Sequence, residues 1–278
     1  MKKAALFALL LTLASAPLLA EDRKTMLDHS PIQDNSFLVE EAYNQEAGIV
    51  QHINTFTRLW NSKAWNYTFT QEWPVPDHWR HQLSYSLTAL KPGEGLDAGL
   101  GDTMLNYRYQ LIGDGEAKLA VAPRLSLIAP SGSSDHSTGY GGWGVQTMLP
   151  ASVVLSKQFV AHADLGGTLV PEAKDAAGDQ TASYGYTAAG SLVWLTNNRF
   201  NGLFETVWSS SHIVSRPNGT DVQNTLWLNP GVRWAYNLKS GLQIVPGLAY
   251  TLGAGPSWGE KGVFVYLSFE HLMWREKE

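Results

Sequence analysis

Seven charged residues recur on the polar side of segments in which apolar and polar residues alternate. They carry both signs of charge and stand among small or neutral polar neighbours. In a hydrated interior such groups can select polar solutes through an electrostatic field, or they can pair and close that interior. We predict that they line a pore, with no catalytic or metal-binding role. The seven are Arg108, Lys118, Arg124, Asp164, Glu205, Arg233 and Glu270.

The alternation that positions these charges is clearest between residues 225 and 238. Successive side chains of a strand point to opposite faces, so a segment of this kind has one apolar and one mostly polar side. Its apolar positions are Leu226, Leu228, Pro230, Val232, Trp234, Tyr236 and Leu238.

Twelve such segments predict an all-β fold, a transmembrane antiparallel up-and-down β-barrel of about 12 strands that begins at residue 49. Each segment reaches the roughly 9–11 residues that a tilted strand needs to cross a bilayer. Prolines inside four of them argue against regular central strands, unless bulges accommodate them. The segments are 49–60, 64–75, 79–91, 99–112, 115–129, 143–156, 159–170, 183–195, 199–210, 222–237, 240–252 and 261–273.

The connections between these segments are alternately short and long through the second half of the chain. Short periplasmic turns and longer extracellular loops are typical of outer-membrane barrels. We expect the longer loops at 130–142, 171–182, 211–221 and 253–260.

The inward side is also expected to include an apolar sector. This sector predicts either a path for hydrophobic or aromatic solutes or packing against the N-terminal segment. Its members are Leu203, Val207, Trp227, Phe264 and Tyr266. The first strand alternates poorly. Its pattern places Gln51 on the outward side and Arg58 on the inward side.

The N-terminus is expected to direct export. Met1-Lys2-Lys3, an apolar run and small residues predict a signal peptide over 1–20, cleaved after Ala20. Residues 21–48 lack alternation and are interpreted as a periplasmic N-terminal extension. The extension is either a plug that enters the barrel or a loosely ordered tail or extra edge strand, and the sequence favours the second.

Charge and composition narrow the function classes. Loss of Lys2 and Lys3 moves the formal charge from −5 to −7, which disfavours nucleic acid as a partner. The sequence has no cysteine, so disulfides contribute nothing to its stability. Eleven Trp and eleven Tyr suit aromatic belts at two membrane interfaces.

Three short motifs resemble the outer-membrane protein family named for the MetA pathway of phenol degradation. Residues 99–109 resemble its GxGD…(K/R)Y strand, 125–133 its PTGS step with Ser131 in place of Thr, and 141–146 its Gly-rich start of the next strand. The resemblance extends over roughly residues 95–275. It implies an outer-membrane barrel, of a family in which some members are linked to uptake of aromatic compounds, and it brings no catalytic residues.

We therefore predict a Gram-negative outer-membrane channel or transporter for passive passage of small solutes, with hydrophobic or aromatic compounds as candidates. The alternative is a structural or surface-interaction barrel with a packed lumen, and a less favoured one is an outer-membrane lipid hydrolase. We expect no enzyme activity, cofactor or metal. The expected partners are outer-membrane lipids, an unidentified small solute and, through the terminal strand from Glu260 to Leu267, the barrel-assembly machinery.

Overall fold

The computed structural model describes residues 32–114, 116–238 and 242–273. The predicted signal peptide over 1–20 lies outside the described residues. The described chain forms one antiparallel sheet that closes on itself, because β1 pairs with β15 and β12 pairs with β14. Its segments are β1 (Ile49–Leu59), β2 (Trp65–Pro74), β3 (His81–Lys91), β4 (Gly99–Leu100), β5 (Thr103–Tyr109), β6 (Leu119–Val121), β7 (Arg124–Ala129), β8 (Gly144–Val154), β9 (Phe159–Lys174), β10 (Gln180–Asn197), β11 (Phe200–Arg216), β12 (Gly219–Trp234), β13 (Tyr236–Asn237), β14 (Gln243–Gly253) and β15 (Lys261–Leu272).

These segments build twelve wall strands, so the predicted twelve-strand all-β barrel is confirmed. Three wall strands are interrupted, between β4 and β5, between β6 and β7, and between β12 and β13. The interruption before β7 falls at Pro123, which has no N–H to give to a ladder. Pro230 lies where the β12–β14 ladder skips from Leu228 to Gly231. Local gaps therefore accommodate the prolines without opening the ring.

The two faces of the wall differ as the alternation predicts. Along β7, Leu125 and Leu127 are 53 % and 42 % exposed, whereas Ser126 between them is 0 % exposed. Outward leucines and aromatic residues form the face that would contact lipid, and polar residues fill the inside. This inverted arrangement suits a barrel whose outside is a hydrocarbon solvent.

One side of the barrel is taller than predicted. Strands β9 to β12 have 16 to 18 residues, whereas β1, β2, β3, β8, β14 and β15 have 10 to 12. The loops expected at 171–182 and 211–221 are therefore mostly strand, and their turns are confined to 175–179 and 217–218. The added strand ends, 171–174, 180–182, 211–216 and 219–221, are mostly polar or charged, and they gave no apolar alternation from which a strand could be predicted.

The predicted orientation of the first strand is wrong. Gln51 is 1 % exposed and pairs with inward Glu270, whereas Arg58 pairs with Val263 on the outer face and donates to the Lys63 carbonyl at the rim. The inward side of β1 is mostly polar and its outward side is only partly apolar. The alternation therefore carried little information there.

The three motifs of the sequence resemblance lie on neighbouring strands, and the loops beside them form one cluster. Asp102 accepts hydrogen bonds from the backbone N–H of Gly132 at 2.9 Å and of Tyr140 at 2.7 Å. A Cβ on Gly139 would lie 2.5 Å from the Asp102 carboxylate, so this approach needs glycine. Ser131 donates to the Gly101 carbonyl and fastens the same loop. These contacts therefore fix the conformation of the loop between β7 and β8 against the break between β4 and β5.

The connections of this barrel divide between two rims. We call the rim that bears residues 75–80, 155–158 and 198–199 the lower rim, and the one that bears 92–98, 130–143 and 254–260 the upper rim. The helical element among the described residues is a short 3-10 turn, Gly255–Ser257, at the upper rim. Within those residues no helix is both long and apolar enough to cross a membrane.

Replacing Leu105 with Arg tests the assignment of the outer face. Leu105 lies in β5 between Leu127 and Tyr85 and is 52 % exposed. A charge that faces lipid near the midplane costs about 2–4 kcal/mol, against about 0–1 near an interface. We expect Leu105→Arg to lower the unfolding free energy in vesicles by that larger amount. Leu100→Arg, at the upper rim, is the control, and equal costs at the two positions would contradict the assignment.

The loop after β1 should respond to acid through Glu260. Its slight burial alone would raise the pKa, but backbone N–H groups of Asn61 and Ser62, each 2.9 Å away, hold the pKa of the carboxyl below its usual value. This contribution to stability is present above the unfolded pKa and disappears as the pH falls through the lower, folded pKa. The amide ¹H shifts of Asn61 and Ser62 should follow that titration. Glu260→Gln should abolish it, and an unchanged titration in that variant would contradict the assignment.

Candidate functional site: the lumen and its N-terminal arch

Residues 32–48, which we call the N-terminal arch, lie inside the barrel and begin and end at the lower rim. At the first end, the Ile32 N–H donates to the Asn198 carbonyl in a lower-rim turn. At the second, the Asn44 side chain donates to the Trp79 carbonyl in another lower-rim turn, and β1 starts at Ile49. Between these ends the arch rises to the level of Glu205 and returns.

The apex of the arch is held by the carboxylate of Glu205, which is 0 % exposed. One oxygen, Oε1, accepts three consecutive backbone N–H groups, from Phe37 at 2.9 Å, Leu38 at 2.7 Å and Val39 at 3.1 Å. The other, Oε2, accepts from the Asn229 side chain at 2.8 Å. A single wall carboxylate thus satisfies the donors of a three-residue bend, which have no sheet partner.

Next along the arch, Glu40 joins two wall strands. Its backbone N–H donates to Asp164 Oδ2 at 2.7 Å. Its carboxylate receives the Arg124 guanidinium through Nε at 3.0 Å and through Nη2 at 2.6 Å. Arg124 also donates to Asn106 and Gln146 on the neighbouring strands. A two-pronged pair of this kind fixes orientation as well as position.

The descending limb is held by neutral wall side chains. Ser152 accepts the Ala42 N–H at 2.8 Å, and Gln110 donates to the Ala42 carbonyl at 2.7 Å. Gln82 accepts the Gln45 N–H at 2.6 Å. Because these bonds go to backbone groups, they depend on the path of the arch more than on its side chains.

Two arginines bind carbonyl groups of the arch. Arg108 donates to the Glu41 carbonyl at 2.9 Å and lies 3.7 Å from Glu72 on β2. Arg233 donates to the Asn35 carbonyl. These two side chains are 4 % and 1 % exposed, so neither is presented to an open channel while the arch is in place.

Part of the apolar sector, Phe264 and Tyr266, packs with two residues of the arch, Phe37 and Ile32. Phe264 and Tyr266, which the sequence placed inward, are 2 % and 3 % exposed, and both stack on Phe37. Ile32 belongs to the same buried cluster. The arch is therefore polar toward most of the wall and apolar toward β12, β14 and β15.

The structure brings together six of the seven predicted pore-lining residues. Five of them contact the arch directly, and Glu270 accepts the Gln51 side chain at 2.8 Å, which in turn accepts from Gln45 of the arch. Lys118 is exposed in the turn before β6 at the lower rim. The five with direct contacts are Arg108, Arg124, Asp164, Glu205 and Arg233.

Sequence reasoning missed several neutral residues that hold the arch. Their alternation placed them on polar faces, but nothing separates a wall amide that binds backbone from one that faces water. Burial distinguishes the amides that bind backbone, and burial is known only from the structure. They are Gln110, Asn201, Asn229 and Ser191, with Ser36 on the arch itself.

Comparison with known proteins supports the fold and goes no further. No protein-family model matches the sequence, and no curated protein matches it. An outer membrane channel from Pseudomonas putida F1 is 14 % identical, covers 83 % of this chain and 97 % of its own, with a TM-score of 0.59. The NanC porin is 12 % identical over 79 % of this chain and 98 % of its own, with a TM-score of 0.49. The CymD monoaromatic hydrocarbon channel is 10 % identical over 92 % of each chain, with a TM-score of 0.40. At this identity the likeness to the Pseudomonas putida F1 channel shows the architecture of an outer-membrane barrel.

Removing the Glu205 carboxylate should loosen the apex of the arch. In Glu205→Ala the three N–H groups of Phe37, Leu38 and Val39 lose their acceptor. A hydrogen bond contributes about 0.5–1.5 kcal/mol, so three together exceed the 1.4 kcal/mol that changes an equilibrium tenfold. We expect hydrogen exchange in a peptide that spans residues 36–40 to accelerate at least about tenfold.

The matched control is Glu172→Ala, which removes an exposed carboxylate from the outer end of β9. Exchange over residues 36–40 should stay at the wild-type rate in that variant. Equal rates in the two variants would mean that Glu205 does not hold the apex.

Proposed function

We propose that this protein is a passive outer-membrane channel for small solutes in a Gram-negative envelope, and that the N-terminal arch acts as its plug. The observation that carries the proposal is that the N-terminal arch fills the lumen. The N-terminal arch, whose backbone is held by hydrogen bonds to wall side chains, occupies a closed barrel with a polar interior. Such a filling can leave as a unit without breaking the wall.

The wall charges support a role in solute passage once the arch moves. With the arch displaced, Arg108, Arg124 and Arg233 would share a hydrated lumen with Asp164 and Glu205, the basic and acidic groups lying on different strands of the wall. Charges of both signs in a lumen create a field that favours polar or dipolar solutes. The apolar sector of β12, β14 and β15 would offer a second surface to hydrophobic or aromatic solutes.

We also propose membership of the family named for the MetA pathway of phenol degradation. The support is that the three motifs that carry the resemblance lie on neighbouring strands, and that the loop cluster around Asp102 joins the first two of them to Tyr140, which directly precedes the third. The family's link to aromatic compounds favours such compounds as solutes here.

The second candidate is a structural barrel with a permanently packed lumen. The observation in its favour is that six of the seven predicted pore-lining charges already have partners on the wall or the arch. The two candidates differ in one measurable respect, which is movement of the arch.

A reversible tether tests whether the arch closes the lumen. Ser36 Oγ on the arch and Ser191 Oγ on β10 are 2.5 Å apart, close to the S–S distance of about 2.05 Å in a disulfide. The chain has no cysteine, so Ser36→Cys with Ser191→Cys introduces one unambiguous pair. In planar bilayers we expect silence when the pair is oxidised and channel openings after reduction, because only the reduced arch can leave.

Each single cysteine variant controls for the substitutions, and a variant without residues 21–45 shows the conductance of the unplugged barrel. Steady conductance of the truncated barrel with none in the oxidised pair supports the plugged channel. Equal conductance of the oxidised and reduced pair would remove the arch from gating. Silence of the truncated barrel would favour the packed structural barrel.

A further inference from the structure

The phenyl ring of Phe37 sits in a slot on the inner wall of the barrel, in an apolar cluster whose one arch member besides Phe37, among the described residues, is Ile32. The ring centroid is 5.3 Å from that of Phe264 at an interplanar angle of 28°, and 5.2 Å from that of Tyr266 at 35°. These separations lie in the range of offset-stacked aromatic pairs. Val245 and Ala249 belong to the same apolar cluster. The slot thus recognises a flat aromatic ring.

Two glycines make room for this ring. A Cβ at Gly231 in β12 would lie 2.7 Å from the ring at Cε2, and a Cβ at Gly247 in β14 would lie 2.5 Å from it at Cζ. Glycine in a strand interior weakens the strand and usually marks a close approach by another group. Both residues occur in the middle of wall strands, so here the close approach is that of the ring.

The occupant of the slot is supplied by the arch, and the arch is fastened beside it. The backbone N–H of Phe37 is the first of the three that donate to Glu205. The ring and this N–H belong to the same residue, so displacement of the ring acts on the residue whose backbone Glu205 holds. Phe37 as a whole residue is only partly buried.

We propose that this slot is a binding site for the ring of an uncharged monoaromatic solute, and that Phe37 occupies it in the absence of solute. The solute ring and the Phe37 ring exclude each other, so solute binding displaces Phe37 and loosens the apex of the arch. The inference rests on the proposed plugged channel and adds to it the site and the chemical class of the molecule that releases the plug.

The stacking partners favour an aromatic solute over an aliphatic one of equal size. Phe264 and Tyr266 offer ring faces, and the two glycines leave room for a ring directly against the backbone of β12 and β14. A planar ring gains stacking beyond its apolar area, whereas a puckered ring of the same carbon number gains only the area. The Arg233 guanidinium, 5.5 Å from the Tyr266 ring centroid, lies over one of these faces and would disfavour a cationic solute.

The first measurement is binding of 4-fluorophenol to the refolded full-length protein in nanodiscs, followed by the ¹⁹F signal. An internal competitor lowers apparent affinity by the fraction of time for which it fills the site. We therefore expect Phe37→Ala to bind the probe at least about tenfold more tightly than the wild type. Equal affinity in the two proteins would overturn the proposal.

Substitution of two wall glycines tests whether the probe binds in the slot. In the Phe37→Ala background, Gly231→Ala with Gly247→Ala fills the slot with two methyl groups and should abolish probe binding. Gly202→Ala is the matched control, because a Cβ there would meet nothing closer than Trp194 at 3.7 Å. Tight binding that survives the filled slot would place the probe elsewhere and overturn the assignment. A heat-dependent electrophoretic shift checks that each variant is folded.

The decisive measurement is made on the wild type, because any emptied cavity can bind a small ring. Saturating 4-fluorophenol should accelerate hydrogen exchange over residues 36–40 by at least about fivefold, whereas cyclohexanol at the same concentration should leave it unchanged. If Phe37→Ala binds the probe and wild-type exchange does not respond, the slot is ordinary packing and the proposal fails. Neither readout requires conduction, so a failure here is distinct from silence of the truncated barrel, which would instead refute the channel.

Discussion

A backbone segment inside a closed barrel has no strand beside it to satisfy its N–H and C=O groups. Every wall strand already gives its own backbone groups to its two neighbours. Away from the lower rim, where the Asn198 carbonyl accepts the Ile32 N–H, side chains therefore serve the arch. The inward residues of the wall meet this requirement one by one, with Glu205 at the apex, Asp164 beside it, and Ser152 and Gln82 on the descending limb. The composition of the lumen follows from this need for acceptors and donors.

This requirement changes the meaning of the lumen charges. The sequence left open whether they select solutes or pair with one another, and the structure adds a third use. The buried groups of Arg108, Arg233 and Glu205 bind the main chain of the arch more than they bind each other. A charge that holds a peptide group is well suited to release it, because water or a polar solute can take the same place. The same residues can therefore hold the plug and line the path that opens behind it.

The sequence was most informative where one face of a strand is strictly apolar. Residues such as Leu125 and Leu127 established the alternation, and from it the number of strands, the closure and the inward position of Glu205 and Arg233 followed. Prediction failed where that contrast is weak. Gln51 and Arg58 were reversed because β1 has polar residues on both faces, and the polar upper ends of β9 to β12 were taken for loops. The sequence offered a plug for residues 21–48 only as the less favoured alternative, because the partners of the arch are distant in sequence and its own residues show no period.

The apolar sector sets the arch apart from a purely polar filling. Hydrogen bonds from the wall fix the path of its backbone, but they would hold many sequences equally well, since most of them end on peptide groups. Phe37 is the residue whose side chain fits a slot in the wall. Gly231 in β12 and Gly247 in β14 leave the space for its ring, and glycine at these positions lowers strand stability. That cost is offset only while a ring fills the space. A wall built in this way binds one aromatic ring in the slot. The arch therefore stays in the lumen as long as the bound ring is that of Phe37.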